Sequence, residues 1–181
     1  QVDEIRLLPA GIPPHRETRV TAAAHRLEML RLAVTDVGGF RVDERELHRP
    51  GPSYMVDTLT GLRAEIGPRP LILAVGQDSA NSLRTGERWR QLFSLAHMVV
   101  MTRPGDPRKY DPVLEREFAP RETGSAAKLF NSPAGCILHQ DITRLAISSS
   151  DIRKQLRSGS SPRFLLPHVV LEYIKKHGLY A

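Results

Sequence analysis

Cysteine is almost absent: Cys136 is the only one in the chain. No internal disulfide can form, so burial and hydrogen bonding must hold the fold, and a reducing, cytoplasmic setting fits. A catalytic thiol needs a base and an oriented partner. The pattern supplies neither, so Cys136 reads as a packing residue. No apolar run approaches the roughly 20 residues needed to span a membrane as a helix. No two histidines stand at a convincing metal-ligand spacing, so no protein-held metal is expected. Paired-cysteine zinc spacings, internal repeats and RNA-binding aromatic signatures are all missing. What remains is a globular composition: 181 residues, 40% hydrophobic and 25% charged. That length suits one domain over residues 1–181 with a normal core.

Charge is the first positive signal. The formal net charge is +6 and the pI about 9.9. Such a balance favours anionic partners. The basic residues are spread along the chain and not bunched in a tail, and nucleic acid, nucleotides and an anionic surface all stay open as partners. Arginine far outnumbers lysine, and arginine's planar fork suits phosphate.

Apolar runs alternate with helical spacings. Glu4 to Leu8 and Phe40 to Val42 read as strands. Val20, Ala23, Leu27, Leu30 and Val34 recur every three or four positions, which predicts a helix over Thr18 to Val37. Val56 to Ile66 is a second helix, closed by Gly67-Pro68. Leu71 to Val75 is a continuous apolar run, the kind buried on both faces of a parallel sheet. A helix around Arg88 to Leu95 leads into a strand from His97 to Thr102. Asp106 to Pro133 reads as an irregular polar loop with a partial helix. Cys136 to His139 is a last strand, followed by helices over Ser150 to Arg157 and Pro167 to His177. This alternation predicts an α/β fold with an open parallel sheet and helices on both faces. Ligands bind such sheets beyond the carboxyl ends of the strands.

Three stretches could carry chemistry there. Ile147-Ser148-Ser149-Ser150-Asp151-Ile152-Arg153 sets hydroxyls and an arginine at a helix start, where free N–H groups attract anions. The bland alternative is a capping box of Ser148 and Asp151. Gly76-Gln77-Asp78 follows the most hydrophobic strand. There glycine permits close approach of a ligand, and Asp78 can accept from ribose hydroxyls or merely cap a helix. Pro9 to Arg16 is a proline-stiffened loop that presents His15. Ser53-Tyr54 precedes the second helix, where a hydroxyl can cap it or face a ligand. His25, His48, His168 and His177 lack a partner pattern and read as surface residues. His97 and His139 sit in strands and read as packed.

Taken in order, Leu7-Leu8-Pro9-x-x-x-Pro13-Pro14-His15-Arg16, Asp43-x-Arg45-Glu46-Leu47, Pro52-Ser53-Tyr54-x-x-Asp57-Thr58-Leu59, Gly76-x-Asp78, Arg103-Pro104-Gly105 and Ile147-Ser148-Ser149-Ser150-x-Ile152-Arg153 resemble the bacterial nicotinate-nucleotide adenylyltransferases. The ending Tyr173-Ile174 through His177-Gly178-Leu179-Tyr180 is similar to that family's C-terminus.

The resemblance implies a Rossmann-like nucleotidylyltransferase fold. It implies adenylyl transfer from ATP to nicotinate mononucleotide in NAD synthesis, with Mg²⁺ carried on the ATP phosphates. By motif, Gly76 and Asp78 would hold the adenylyl side, and Ser148, Ser149, Ser150 and Arg153 the adenine and ATP phosphates. His15 and Arg103 would line the substrate phosphate, and Ser53, Tyr54, Met55, Gly86 and Trp89 the rest of the substrate region.

Three departures stand out. The family's first strand and its G-T-F-D-P-x-H-x-G-H motif have no match, so the catalytic residues stay unassigned. The resemblance implies about 30 further residues ahead of Gln1, the size of a βα unit. Met55 replaces the usual threonine. Gly86 replaces the tryptophan thought to stack on the pyridine, with Trp89 at a second aromatic position. The alternatives are a sister enzyme using nicotinamide mononucleotide or another phosphate acceptor, and a non-catalytic nucleotide- or RNA-binding remnant. Oligomeric state is left open.

Overall fold

The structure is a computed structural model that describes residues 2–11, 21–103, 105, 107–143, 145 and 147–180. In chain order its elements are β1 (Ile5–Leu7), α1 (Ala23–Val34), β2 (Phe40–Val42), α2 (Met55–Ile66), β3 (Ile72–Gly76), α3 (Gln77–Asn81), α4 (Leu92–Leu95), β4 (His97–Thr102), α5 (Pro112–Phe118), β5 (Glu122–Thr123), β6 (Ile137–Asp141), α6 (Ser149–Arg157) and α7 (His168–Lys176). The chain packs as two compact units, residues 1–53 with 145–181, and residues 54–144. Every strand pair among the described residues is parallel. Parallel neighbours need crossover connections, and the chain supplies them. Among the described residues no helix is long and apolar enough to cross a membrane.

The unit of residues 54–144 holds a four-stranded sheet in the order β3-β4-β6-β5. Its interior strands are β4 and β6, whose Met98, Val100 and Ile137 are buried. Val56, Leu59 and Leu62 recur every three residues along α2 and enter the same core as Leu92, Phe93 and Phe118. Gly67, at φ 64, ends α2 in a conformation that costs glycine little, and its N–H closes on Arg63 O. The apolar run at β3 is not buried on both faces as its pattern suggests. Ala74 and Gly76 are exposed. The physical reason is position: β3 ends the described strand order and pairs with β4 alone. A run of apolar residues does not encode how many neighbours the strand has.

The stretch read as an irregular polar loop with a partial helix holds that helix and, beyond it, a short strand. Residues 112–118 form α5, and β5 adds to the sheet beside β6. Asp111 caps α5 by accepting from the N–H groups of Val113 and Leu114, with Pro112 at the first helical position. Asp-Pro is a helix-start signature and was legible.

A buried histidine, His97, and a half-buried one, His139, brace this sheet. His97 Nδ1 accepts from the Cys136 N–H at 3.0 Å, so its proton sits on Nε2 and is donated to Ser132 O at 2.7 Å. His139 Nε2 lies 3.1 Å from the Glu122 carboxylate, and its Nδ1 is buried without a partner among the described residues. Burial, aided by the Arg108 cation, pushes the His139 imidazole below its ordinary 6.5, against the pull of Glu122. A depressed pKa means that the unfolded chain takes the proton first. His139's contribution is therefore complete above about pH 6.5 and is lost as pH falls through the folded value. His139→Gln should flatten the decline in urea-unfolding stability on the acid side of pH 6.5. An unchanged slope would show that His139 titrates alike in both states.

In the other unit, β1 and β2 pair from Ile5↔Phe40 to Leu7↔Val42. Helix α1 packs against β2 and α7. It is shorter than the 18–37 pattern predicts, and residues 18–20 lie outside the described residues. The Asp43-x-Arg45 motif is a structural clamp. Arg45 Nε donates to both Asp43 oxygens at 2.9 and 2.8 Å, and Arg6 approaches at 3.5 Å. Burial pushes the Asp43 carboxyl up, but the Arg45 hydrogen bonds and charge leave it below its ordinary value.

His25 and His177, expected to be surface residues without partners, both meet Tyr173, although His177 is exposed as expected. His25 Nδ1 meets the Tyr173 hydroxyl at 2.9 Å, and the His177 ring lies 4.3 Å from the Tyr173 ring. The packing of α1 on α7 brings these groups together, and no local pattern announces it.

Candidate active site

The corner between β3 and α3 carries Gly76, Gln77 and Asp78. Gly76 and Asp78 face outward, while Gln77 between them is 2% exposed. Gly76 has φ −74, which any residue adopts, and an added Cβ there would meet nothing within 4 Å. Neither backbone conformation nor packing therefore requires glycine here. Arg103, immediately after β4, is exposed.

The structure ties these two places together through side chains that sequence reasoning missed. The Thr102 hydroxyl donates to Gln77 Oε1 at 3.1 Å. Gln77 Nε2 donates to Asn81 Oδ1 at 2.9 Å and to the Tyr110 hydroxyl at 3.1 Å. Asn81 in turn accepts from the Lys109 N–H at 3.0 Å and donates to Pro107 O at 3.2 Å. Burial holds the Tyr110 phenol above its ordinary pKa. The one clue in the sequence was the Gln77/Asn81 spacing of four, which puts two amides on one helical face.

A second cluster surrounds the start of α2. Tyr54 is its N-terminal flanking residue, makes no side-chain cap, and packs against the core. Met55 opens the helix and is 41% exposed. Asp57, two residues on, pairs with Arg88, which lies two residues beyond Gly86. That ion pair draws the segment after Gly86 against the first turn of α2. A Cβ at Gly86 would sit 3.1 Å from Leu83 O, a tight fit against backbone. Trp89 is 8% exposed, edge-on to Phe93, with the Arg90 guanidinium 4.5 Å over its ring. The indole is thus a core residue roofed by arginine, and it would have to leave that packing to stack on a ligand.

In the unit of residues 1–53 and 145–181, Ser53 Oγ is buried and has no partner among the described residues. It lies beside Gly11, where a Cβ would be 2.7 Å from Ser53 Oγ and 2.4 Å from Glu46 O. Only glycine fits at that point. His15 and Arg16 lie outside the described residues. Ser148 caps α6: its Oγ accepts from the Asp151 N–H at 3.0 Å and donates to Asp151 Oδ2 at 2.7 Å. The capping alternative is therefore realised in the geometry. Arg153 Nη2 reaches Ser150 Oγ at 3.5 Å, at the limit of a hydrogen bond.

Parallel α/β crossovers, with an open glycine and an acid at a strand end, define a nucleotide-binding type of architecture. Residues 1–155 match the family model described as cytidylyltransferase-like, and the chain belongs to that family. A Methylococcus capsulatus protein described as a probable nicotinate-nucleotide adenylyltransferase is 46% identical over 182 residues, spanning 100% of this chain and 87% of its own. A Halorhodospira halophila protein of the same description is 47% identical over 180 residues, spanning 99% of this chain and 83% of its own. With these relatives, the chain belongs among the nicotinate-nucleotide adenylyltransferases. A solved structure of Plasmodium falciparum nicotinic acid mononucleotide adenylyltransferase complexed with NaAD superposes with a TM-score of 0.69 at 16% identity. The match spans 99% of this chain and 83% of that one. At that identity the likeness shows the fold alone.

Proposed function

We propose that this protein transfers the adenylyl group of ATP to nicotinate mononucleotide. The mononucleotide phosphate oxygen attacks the α-phosphorus, the bond to the β-phosphate breaks, and pyrophosphate leaves as nicotinate adenine dinucleotide forms. The observation that carries this reading is identity of 46–47% along essentially the whole chain with proteins described as probable nicotinate-nucleotide adenylyltransferases. No covalent enzyme intermediate is needed, so catalysis rests on positioning and charge stabilisation.

Gly76 and Asp78 hold the adenylyl side in this reading. The open face of Gly76, unexplained by backbone or packing, supports it. Ser149, Ser150 and Arg153, at the helix start that Ser148 caps, hold the adenine and ATP phosphates. Arg103 and His15 serve the acceptor phosphate. Ser53, with its unpartnered hydroxyl, Tyr54, Met55, Gly86 and Trp89 belong to the acceptor region. The divalent ion would be Mg²⁺ arriving on ATP, where it would offset polyphosphate charge. A single cysteine agrees with a cytoplasmic setting. Product assays of the full-length protein with MgATP test the reading. Nicotinate adenine dinucleotide and pyrophosphate should form together, and no product from nicotinate mononucleotide would sink it.

Gly86 and Met55 also favour a second reading, a relaxed preference for the nicotinamide form. Gly86 supplies no ring, and Met55 supplies no hydroxyl for a carboxylate. An aromatic contact adds about 0.5–1.5 kcal/mol, and a neutral hydrogen bond a similar amount. The tight approach of a Cβ at Gly86 to Leu83 O takes part of that back. Gly86→Trp with Met55→Thr should therefore tighten nicotinate mononucleotide by about tenfold, equivalent to 1.4 kcal/mol. Titration of both mononucleotides reads the change. Equal affinity in wild type and double variant would remove these positions from the pyridine pocket.

A further inference from the structure

We infer that Gln77 is a positioning residue that sets the Gly76–Asp78 corner and the Arg103 segment in one fixed relation for nucleotide binding. The inference rests on the reading that those residues face ATP. Gln77 is the residue between Gly76 and Asp78, yet it points inward and is 2% exposed. A buried primary amide costs free energy unless its hydrogen bonds are made. Here they are: Oε1 accepts from Thr102, and both Nε2 protons are donated, to Asn81 and Tyr110.

The orientation of the amide follows from its neighbours. Asn81 Oδ1 also accepts from the Lys109 N–H, and Asn81 Nδ2 donates to Pro107 O. Flipping Asn81 would break both backbone bonds, so its oxygen must face Gln77, and Gln77 must present its nitrogen there. One amide thus grips β4 at Thr102, one residue ahead of Arg103, and the chain again at Tyr110. Its own α3 neighbour Asn81 secures Pro107 and Lys109. The outward stance of Gly76 and Asp78 is a consequence of the inward stance of Gln77, and a shift of the Gln77 amide moves Arg103 relative to both. No other buried side chain of this unit touches α3, the end of β4 and the segment after it at once among the bonds of the described residues.

ATP affinity of the full-length protein, measured by calorimetry, tests the inference apart from the acceptor chemistry. Gln77→Leu keeps the bulk and removes all three bonds, and should weaken ATP at least tenfold in protein whose circular dichroism matches wild type. Thr102→Val removes one bond and should weaken ATP about threefold, the smaller end of a neutral hydrogen bond's worth. In an Arg103→Ala background the Gln77→Leu effect should shrink, because part of it acts through Arg103. A merely structural residue would lower the melting temperature and leave both the affinity of folded protein and the additivity with Arg103 intact. Wild-type ATP affinity in folded Gln77→Leu overturns the inference. If Gln77→Leu does not fold, wild-type affinity in Thr102→Val overturns it. Wild type that binds ATP but forms no product with nicotinate mononucleotide would sink the acceptor reading and leave Gln77's role standing. Wild type that binds no ATP overturns both.

Discussion

Arg63→Ala should lower the unfolding free energy by about 3 kcal/mol, the scale of one or two charged hydrogen bonds fully lost. Arg63 lies on α2 and pairs with no carboxylate among the described residues. Its guanidinium instead donates to four backbone carbonyls. Nε and Nη2 reach Leu95 O at 3.0 and 2.6 Å, Nη1 reaches Gly67 O at 2.7 Å and Arg69 O at 2.6 Å, and Nη2 reaches Pro133 O at 2.7 Å. These carbonyls belong to the end of α2, the end of α4 and the approach to β6. Arg63 therefore ties three segments at the amino-terminal edge of the sheet, where Leu71 N–H also donates to Pro133 O.

Burial lowers the Arg63 pKa without removing its charge. Water can replace the arginine at exposed Arg69 and Pro133 but poorly at half-buried Leu95 and Gly67. That is why the expected loss is nearer two bonds than five. In a chain of this size it corresponds to a fall of about 6–12 °C in melting temperature. Arg63→Lys should recover only part, because one ammonium cannot span carbonyls that a planar fork reaches together. Urea unfolding of the three proteins measures this. A midpoint for Arg63→Ala equal to wild type would mean that water satisfies all four carbonyls at no cost.

Arg63 also marks where the sequence stops being informative. At its position in α2 it reads as one more solvated charge on a helical face. Nothing local says that carbonyls 32 and 70 residues away will arrive beneath it. The same holds for His25 and Tyr173, 148 residues apart. By contrast, β2 and β4 have the limits their apolar runs predict, and the α2 limits differ by one residue, because those patterns are carried by neighbours in sequence. The strand at β3 was legible as a strand but not in its burial, which depends on what pairs with it. Asp111-Pro112 was legible as a helix start and lay hidden only in a polar stretch.

The site divides the same way. Exposed motif residues such as Gly76, Asp78 and Arg103 stood out by residue type and place. The buried amide that joins them did not, since two of its three partners, Thr102 and Tyr110, are ones that local sequence does not connect to it.

Arg153→Ala should weaken ATP binding by about 1.5–3 kcal/mol, roughly ten- to a hundredfold. The argument turns on the proton inventory at the start of α6. A serine hydroxyl has one proton and two lone pairs. Ser148 spends its proton on Asp151 Oδ2 and one lone pair on the Asp151 N–H. It cannot donate to a phosphate without giving up its bond to Asp151 Oδ2. Donation to an anion here falls to the hydroxyls of Ser149 and Ser150, the first-turn N–H groups and the Arg153 guanidinium. Arg153 holds only a 3.5 Å contact to Ser150 Oγ, so little is given up when it turns to a ligand.

The two serine-motif readings then separate by measurement. Ser148→Ala should cost about 1 kcal/mol of stability as a lost cap and change ATP affinity little. Arg153→Ala should do the reverse, with a melting temperature near wild type. Arg153→Lys should restore only part of the affinity, because a point charge lacks the two-pronged grip on phosphate. The opposite pattern, in which Arg153→Ala binds ATP as wild type does, would leave α6 a capped helix and move the phosphate contacts elsewhere.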